Sequence, residues 1–179
     1  MARLLEKYRA SVVGELKEKF AYKNSMQAPE IKKIVVNMGV GEATKEKELL
    51  DDAVQELATI VGQRPVITKA KKSVAGFKLR EGMSVGCKVT LRGKQMYEFM
   101  DRFIHVAIPR IRDFRGLPTN SFDGFGNYSL GLDDQTVFPE LNLDKVKHTQ
   151  GMDITFVISG SSDEESYEML KLMGMPFKK

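Results

Sequence analysis

An α+β fold is what this sequence predicts: a mostly antiparallel five-stranded sheet with helices packed on one face. Three observations predict it. Segments of period two and of period three to four both recur along the chain, but not in the strict βα alternation of a parallel sheet. The predicted strands pair an apolar side with a more polar one, the pattern of a sheet covered on a single face. The longest aperiodic basic stretch, residues 69–83 (KAKKSVAGFKLREGM), falls between the second and third strands and carries five Lys or Arg. The whole chain, 1–179, is expected to form one domain, with 69–83 as a mobile basic loop.

Residues 3–20 place Leu5, Tyr8, Val12, Leu16 and Phe20 at steps of three and four, one stripe of an amphipathic helix. Pro29 disfavours helix at Ala28, and the β-branched run IKKIVVNM (31–38) follows as a strand. Its Lys33, Val35 and Asn37 lie opposite Ile34, Val36 and Met38. After the Gly39-Val40-Gly41 turn, residues 44–61 form the clearest helix, with Leu50, Val54, Leu57 and Val61 on one face and Gly62 placed to end it. PVIT (65–68) is a short strand, and its proline suits an edge or a strand start.

Residues 84–92 alternate, with Val85, Cys87, Val89 and Leu91 against Ser84, Lys88, Thr90 and Arg92. A helix over 96–104 carries Met96, Phe99, Met100 and Phe103 and runs toward a break at Pro109. A glycine-rich loop (116–126, GLPTNSFDGFG), a brief strand (128–132) and a mostly irregular stretch (133–150) follow. The last strand is MDITFVIS (152–159), and the last helix opens on capping-box spacing from Ser162 to Glu165 and closes near Gly174.

The net charge is only +4, but it is unevenly spread. Residues 1–60 are neutral overall, 61–112 carry twelve Lys or Arg against three acids, and 113–179 are acidic by five. A strongly basic middle third points to a polyanionic partner, since each phosphate contact releases counterions. No apolar run approaches the ~20 residues of a membrane span, and MARLLEKYRASVVGELKEKF lacks the apolar block of a secretory signal. A cytoplasmic protein without membrane partners is expected.

Catalysis finds no constellation. His105 and His148 stand at no metal-ligand spacing, and Cys87 lies in the apolar file of a strand, so no metal is expected. The Gly39-Val40-Gly41 turn lacks the third glycine of a dinucleotide fingerprint, because position 44 is Thr, and no cofactor is expected. The stronger signal is the basic loop. Lys69, Lys71, Lys72, Lys78 and Arg80 surround Phe77, cations for phosphates beside a ring that stacks or wedges. A solvated loop without a ligand is the alternative. Asn37, Thr90 and Gln63 add short or uncharged polar groups in or near strands, suited to ribose 2′-hydroxyls and base edges, which separate RNA from DNA. Lys33, Arg64, Lys88 and Arg92 lie near them in sequence. The aromatic signature of an RNA-recognition motif is missing.

Four long motifs then occur in order: IKKIVVNMGVGEA (31–43), LATIVGQRPVITKAKKSVAGFKLR (57–80), EGMSVGCKVTLRG (81–93) and RDFRGLPTNSFDGFGNYSLGL (112–132), with FPE at 138–140. Over nearly its whole length the chain resembles the bacterial family of large-subunit ribosomal protein number five. The resemblance implies a non-enzymatic protein that binds 5S rRNA and helps anchor it, with large-subunit rRNA and neighbouring proteins, in the central protuberance. It also implies contacts to P-site tRNA and to a small-subunit head protein. On that resemblance the shielded 5S rRNA contacts fall on Asn37, Gln63 and Thr90; from charge and position, Lys33, Arg64, Lys88 and Arg92 are expected to join them as charged partners. The tRNA contacts fall on Lys69, Lys71, Lys72, Ser73, Phe77, Lys78 and Arg80. Residues 110–115 and 133–147 are candidates for the small-subunit contact. The competing expectation is a free-standing RNA chaperone or regulator, which would share the basic loop but need no particular RNA shape.

Overall fold

The computed structural model describes residues 2–44 and 46–178, with every side chain among them except those of Lys47 and Lys145. Five strands, β1 (Ile31–Gly39), β2 (Val66–Lys69), β3 (Ser84–Leu91), β4 (Tyr128–Leu132) and β5 (Met152–Ile158), form one antiparallel sheet in the order β2-β3-β1-β5-β4. With helices α1 (Arg3–Lys7), α2 (Val13–Phe20), α3 (Lys47–Val61), α4 (Gly93–Arg102) and α5 (Asp163–Met173) the class is α+β, as expected. β2, which Pro65 leads into, is an edge strand. Alternation separates the two faces of the strands: Ile34, Val36, Met38, Cys87, Val89, Leu91, Ile154 and Phe156 are buried, whereas Lys33, Asn37, Thr90 and Thr155 are half-buried and Lys88 is exposed. Among the described residues no helix is long and apolar enough to cross a membrane.

The chain divides into two compact units. The first comprises Met1–Ile34, Leu91–Leu130 and Thr155–Lys179, and the second Val35–Thr90 and Gly131–Ile154. In the first unit, the single helix expected over 3–20 is interrupted by a π turn at Tyr8–Val12. The buried stripe is Leu4, Tyr8, Val12 and Leu16, with Leu4 in place of the expected Leu5. Uniform steps of four drift around an α-helix of about 3.6 residues per turn, and the wider π turn absorbs that drift. Tyr8 donates to the Pro29 carbonyl (2.9 Å).

α4 also gives way to a π turn, Phe103–Ala107, and then to a 3-10 turn, Ile108–Arg110. The expected break at Pro109 is thereby postponed. Its missing N–H falls in the first residues of the new turn, where no intrahelical acceptor is required. Phe103 lies against Phe99 and Phe156, with centroids 6.2 Å away in each case. Ser162 caps α5 by accepting from Glu165 N–H (3.4 Å), and the Glu165 carboxylate accepts from Ser161 N–H (3.0 Å).

In the second unit α3 begins at Lys47, after a 3-10 turn at Gly41–Thr44, rather than at Thr44. The expected helix also ran across Lys45, which lies outside the described residues. Its buried face is Leu50, Ala53, Leu57, Ile60 and Val61, while the expected Val54 is only half-buried. Gly62 ends the helix at φ 74°, as its position predicted.

Strands β1 and β3 approach closely at Gly86. A Cβ there would lie 2.5 Å from the Met38 carbonyl oxygen and 3.1 Å from Thr68 Oγ1. Val40 N–H donates to the Val85 carbonyl beside it (2.9 Å). Backbone cannot yield as a flexible side chain does, so Gly86→Ala should cost about 1–3 kcal/mol and lower the urea midpoint. Gly39→Ala, with open space around its Cβ, should move the midpoint far less. Equal midpoints for the two variants would refute a tight β1–β3 approach.

Candidate nucleic-acid interface

Five of the seven residues expected to bind 5S rRNA belong to the second unit. Asn37 on β1 alternates with buried Val36 and Met38 and is half-buried on the other face. On β3, Lys88 is exposed and Thr90 half-buried, again opposite buried Cys87, Val89 and Leu91. β2 pairs antiparallel with β3, Val66 against Lys88 and Thr68 against Gly86, so Val66 and Thr68 join the same face. Gln63 Nε2 reaches the Thr90 carbonyl at 3.5 Å, and exposed Arg64 follows it in the loop between α3 and β2. Asn37, Lys88 and Thr90 are thus carried by strands, and Gln63 and Arg64 by the loop before β2, all in one unit. Lys33 (half-buried) and Arg92 (exposed, N-cap of α4) belong to the first unit. Val66 and Thr68 escaped the sequence reading because only strand register reveals which face they join.

All seven residues expected to contact tRNA lie in this second unit too, on a segment with more structure than an aperiodic loop would suggest. Ala70 N–H donates to the Met83 carbonyl (2.8 Å) and Gly82 N–H to the Ala70 carbonyl (2.9 Å), closing its base. Val74 and Leu79 exchange backbone hydrogen bonds of 2.9 and 3.1 Å nearer the tip. Between them Ala75–Phe77 forms a 3-10 turn ended by Lys78 at φ 52°, a left-handed conformation that is rare outside glycine. Ser73 Oγ accepts from Glu81 N–H (2.9 Å), which leaves the hydroxyl proton available. Phe77 stands 78% exposed at the tip, and Lys69, Lys71, Lys72, Lys78 and Arg80 are exposed around it.

Among the described residues, ion pairs hold several of the chain's cations, but none of those assigned to the candidate interface. Elsewhere Arg3 pairs with Asp101 (2.6 Å), Lys19 with Glu168 (2.7 Å), Lys32 with Glu30 (2.6 Å) and Lys147 with Asp52 (2.9 Å). Among the described residues, none of Lys33, Arg64, Lys69, Lys71, Lys72, Lys78, Arg80, Lys88 and Arg92 has an ion-pair partner within 4.0 Å. Their charge is left to act on an external anion.

The remaining chemistry is structural. Burial pushes the Cys87 thiol up to about 11, which keeps it protonated at neutral pH. His105 Nδ1 lies 2.9 Å from its own helix neighbour Asp101. Among the described residues no group of acids, histidines and cysteine is arranged to hold a metal ion.

One buried polar network was not visible in the sequence. Gln135 is fully buried, and its Nε2 donates to Glu56 Oε2 (3.1 Å) and to the His148 carbonyl (2.7 Å). Its Oε1 accepts from Gln150 N–H (2.6 Å), and Gln150 Nε2 donates in turn to the Gly39 carbonyl (2.6 Å). The irregular stretch 133–150 is in this way tied to α3 and to the end of β1, the strand that carries Asn37. A glutamine with partners 79 and 15 positions away has no local signature.

Two family models match the chain: one described as ribosomal protein L5 over residues 24–80, and one as the ribosomal L5P family C-terminus over residues 84–177. Relatives named large ribosomal subunit protein uL5 match at full length. That of Chlorobaculum tepidum is 59% identical, covering 99% of this chain and 97% of its own. Those of Protochlamydia amoebophila and Geobacter sulfurreducens are each 58% identical, covering 99% of this chain and 96% and 99% of their own.

Desolvation raises the Glu56 carboxyl above its usual range, and nearby Asp52 adds to this, while the Gln135 hydrogen bond and His148 oppose it. A raised folded-state pKa means that folding favours the neutral acid, so stability declines as pH rises above about 4.3, the ordinary Glu value. Glu56→Gln, which keeps an acceptor for Gln135, should therefore raise Tm at pH 7. The advantage should vanish in acid, where both side chains are neutral. Thermal melts that show no pH dependence in this difference would contradict a desolvated Glu56.

Proposed function

Because the chain belongs to the ribosomal protein L5 family, we propose that it binds 5S rRNA through the half-polar face of its sheet and P-site tRNA through loop 69–83. A member of this family is a structural, non-enzymatic constituent of the large ribosomal subunit, a ribonucleoprotein component at work in translation. In this reading it helps attach 5S rRNA in the central protuberance of a cytoplasmic ribosome, alongside large-subunit rRNA and other proteins there. It also meets a small-subunit head protein, with residues 110–115 and 133–147 as candidate contacts.

The observation that supports the RNA reading is the set of cations without ion-pair partners among the described residues, seven of which (Arg64, Lys69, Lys71, Lys72, Lys78, Arg80 and Lys88) belong to the same unit as Asn37, Gln63 and Thr90. Asn37 and Thr90 are half-buried and rigidly mounted, so they present hydrogen-bonding groups at fixed positions, with Gln63 beside Thr90. Lys33, Arg64, Lys88 and Arg92 supply charge for phosphates. The loop works differently. Its hydrogen-bonded base and turned tip offer exposed Phe77 to a base or sugar, and Lys69, Lys71, Lys72, Lys78 and Arg80 to phosphates, with the Ser73 hydroxyl as a further donor.

These two kinds of contact predict two kinds of mutant. Thr90→Val keeps the shape but removes a hydroxyl from the RNA interface, which leaves the RNA group unpaired at a cost of about 1–3 kcal/mol. Lys72→Ala removes one exposed cation and should cost less, with a deficit that shrinks as salt is raised. Filter binding to 5S rRNA at fixed salt should rank Thr90→Val well below Lys72→Ala. Equal losses would contradict recognition by the sheet face.

A further inference from the structure

The glycine-rich segment around Phe125 carries none of the residues assigned to RNA, yet its backbone is firmly held. Asp123 Oδ1 accepts from Phe125 N–H (2.9 Å) and Asn127 N–H (3.0 Å), and its Oδ2 accepts from Asn127 Nδ2 (2.6 Å). Asp163, in the first turn of α5, accepts from Gly124 N–H (3.1 Å) and Gly126 N–H (2.7 Å). Gly126, at φ +82°, lies so close to α5 that a Cβ would fall 2.6 Å from Ser166 Oγ. This fixed turn points the one residue between the two glycines outward, and Phe125 is 77% exposed. Such exposure contributes nothing to the fold.

Beside the turn, and sharing Asp163, is a groove of about 370 Å³ in the same unit. Phe20, Phe122 and Tyr167 give it aromatic walls. The charged residues lining it are Asp163, Glu164, Glu168 and Lys19. Lys19 (2.7 Å) and Lys171 (3.8 Å) both pair with Glu168, while exposed Glu164 has no ion-pair partner among the described residues, which leaves the acids in excess by one. A rim of net negative charge repels phosphates and attracts cations, and the aromatic walls favour an apolar side chain.

We propose that Phe125 and this groove form a docking surface for a cationic protein segment, one that carries Lys or Arg around a large apolar residue and belongs to a neighbouring protein of the large subunit. The inference rests on the chain's place in that subunit, which a sucrose gradient checks before the docking is tested. Phe125→p-benzoylphenylalanine, introduced into the full chain in cells, should co-sediment with large subunits. Failure to do so would overturn subunit membership of the variant chain, and with it the proposal. Irradiated purified subunits should then yield an adduct to one Lys/Arg-rich protein segment bearing an apolar residue, identified by peptide sequencing. Adding Glu164→Lys should reduce that adduct several-fold without changing sedimentation. An adduct to rRNA, no adduct from subunits that contain the variant, or a yield indifferent to Glu164→Lys would each overturn the docking surface.

Discussion

A β-strand sends successive side chains to opposite faces, and the organisation of this molecule depends on how β1 and β3 use that constraint. Ile34, Val36 and Met38 go inward from β1, and Cys87, Val89 and Leu91 from β3. The alternate positions are then committed to the other face, whatever residues occupy them. Here they include Lys33, Asn37, Lys88 and Thr90, so burial of the core and display of the polar face are one event. A slip of one residue in register would exchange the two sets. Gly86 makes such a slip costly, because a side chain at any neighbouring register would be driven toward the Met38 carbonyl.

The second consequence is electrostatic. Acids on α3, on 133–150 and on α5 are drawn into caps, pairs and buried hydrogen bonds: Asp52 with Lys147, Glu56 with Gln135, Asp163 with two glycine amides and Asp134 with Thr136 N–H (2.7 Å). Few acids remain in the basic third of the chain, and Arg64, Lys69, Lys71, Lys72, Lys78, Arg80, Lys88 and Arg92 there have no ion-pair partner among the described residues. In the proposed function two regimes of recognition coexist within the second unit: fixed polar groups on strands would discriminate by geometry, and exposed loop cations would attract by charge that salt weakens.

Much of this was legible in the sequence. The strand faces of β1, β3 and β5 followed from period-two alternation, and Gly62, Gly174 and Ser162 marked helix ends by well-understood capping chemistry. Local patterns failed where the physics was not local. The π turns at Tyr8–Val12 and Phe103–Ala107 arise from fitting a stripe to packing around it, and periodicity alone reads straight through them. The left-handed Lys78 and the Val74–Leu79 pairing gave the basic loop its frame, although no glycine or asparagine stands at the turn position to announce it. Of the candidate site, residue types and faces were readable. Strand order, and with it the inclusion of Val66 and Thr68, was not.

Recognition of one RNA by the sheet face is tested most directly by binding the purified chain to 5S rRNA, to a transfer RNA and to an unrelated RNA of similar length, each at two salt concentrations. Geometry-based recognition predicts a preference for 5S rRNA that survives the higher salt. Equal binding to all three, lost together as salt rises, would leave a basic surface without shape selectivity and contradict it.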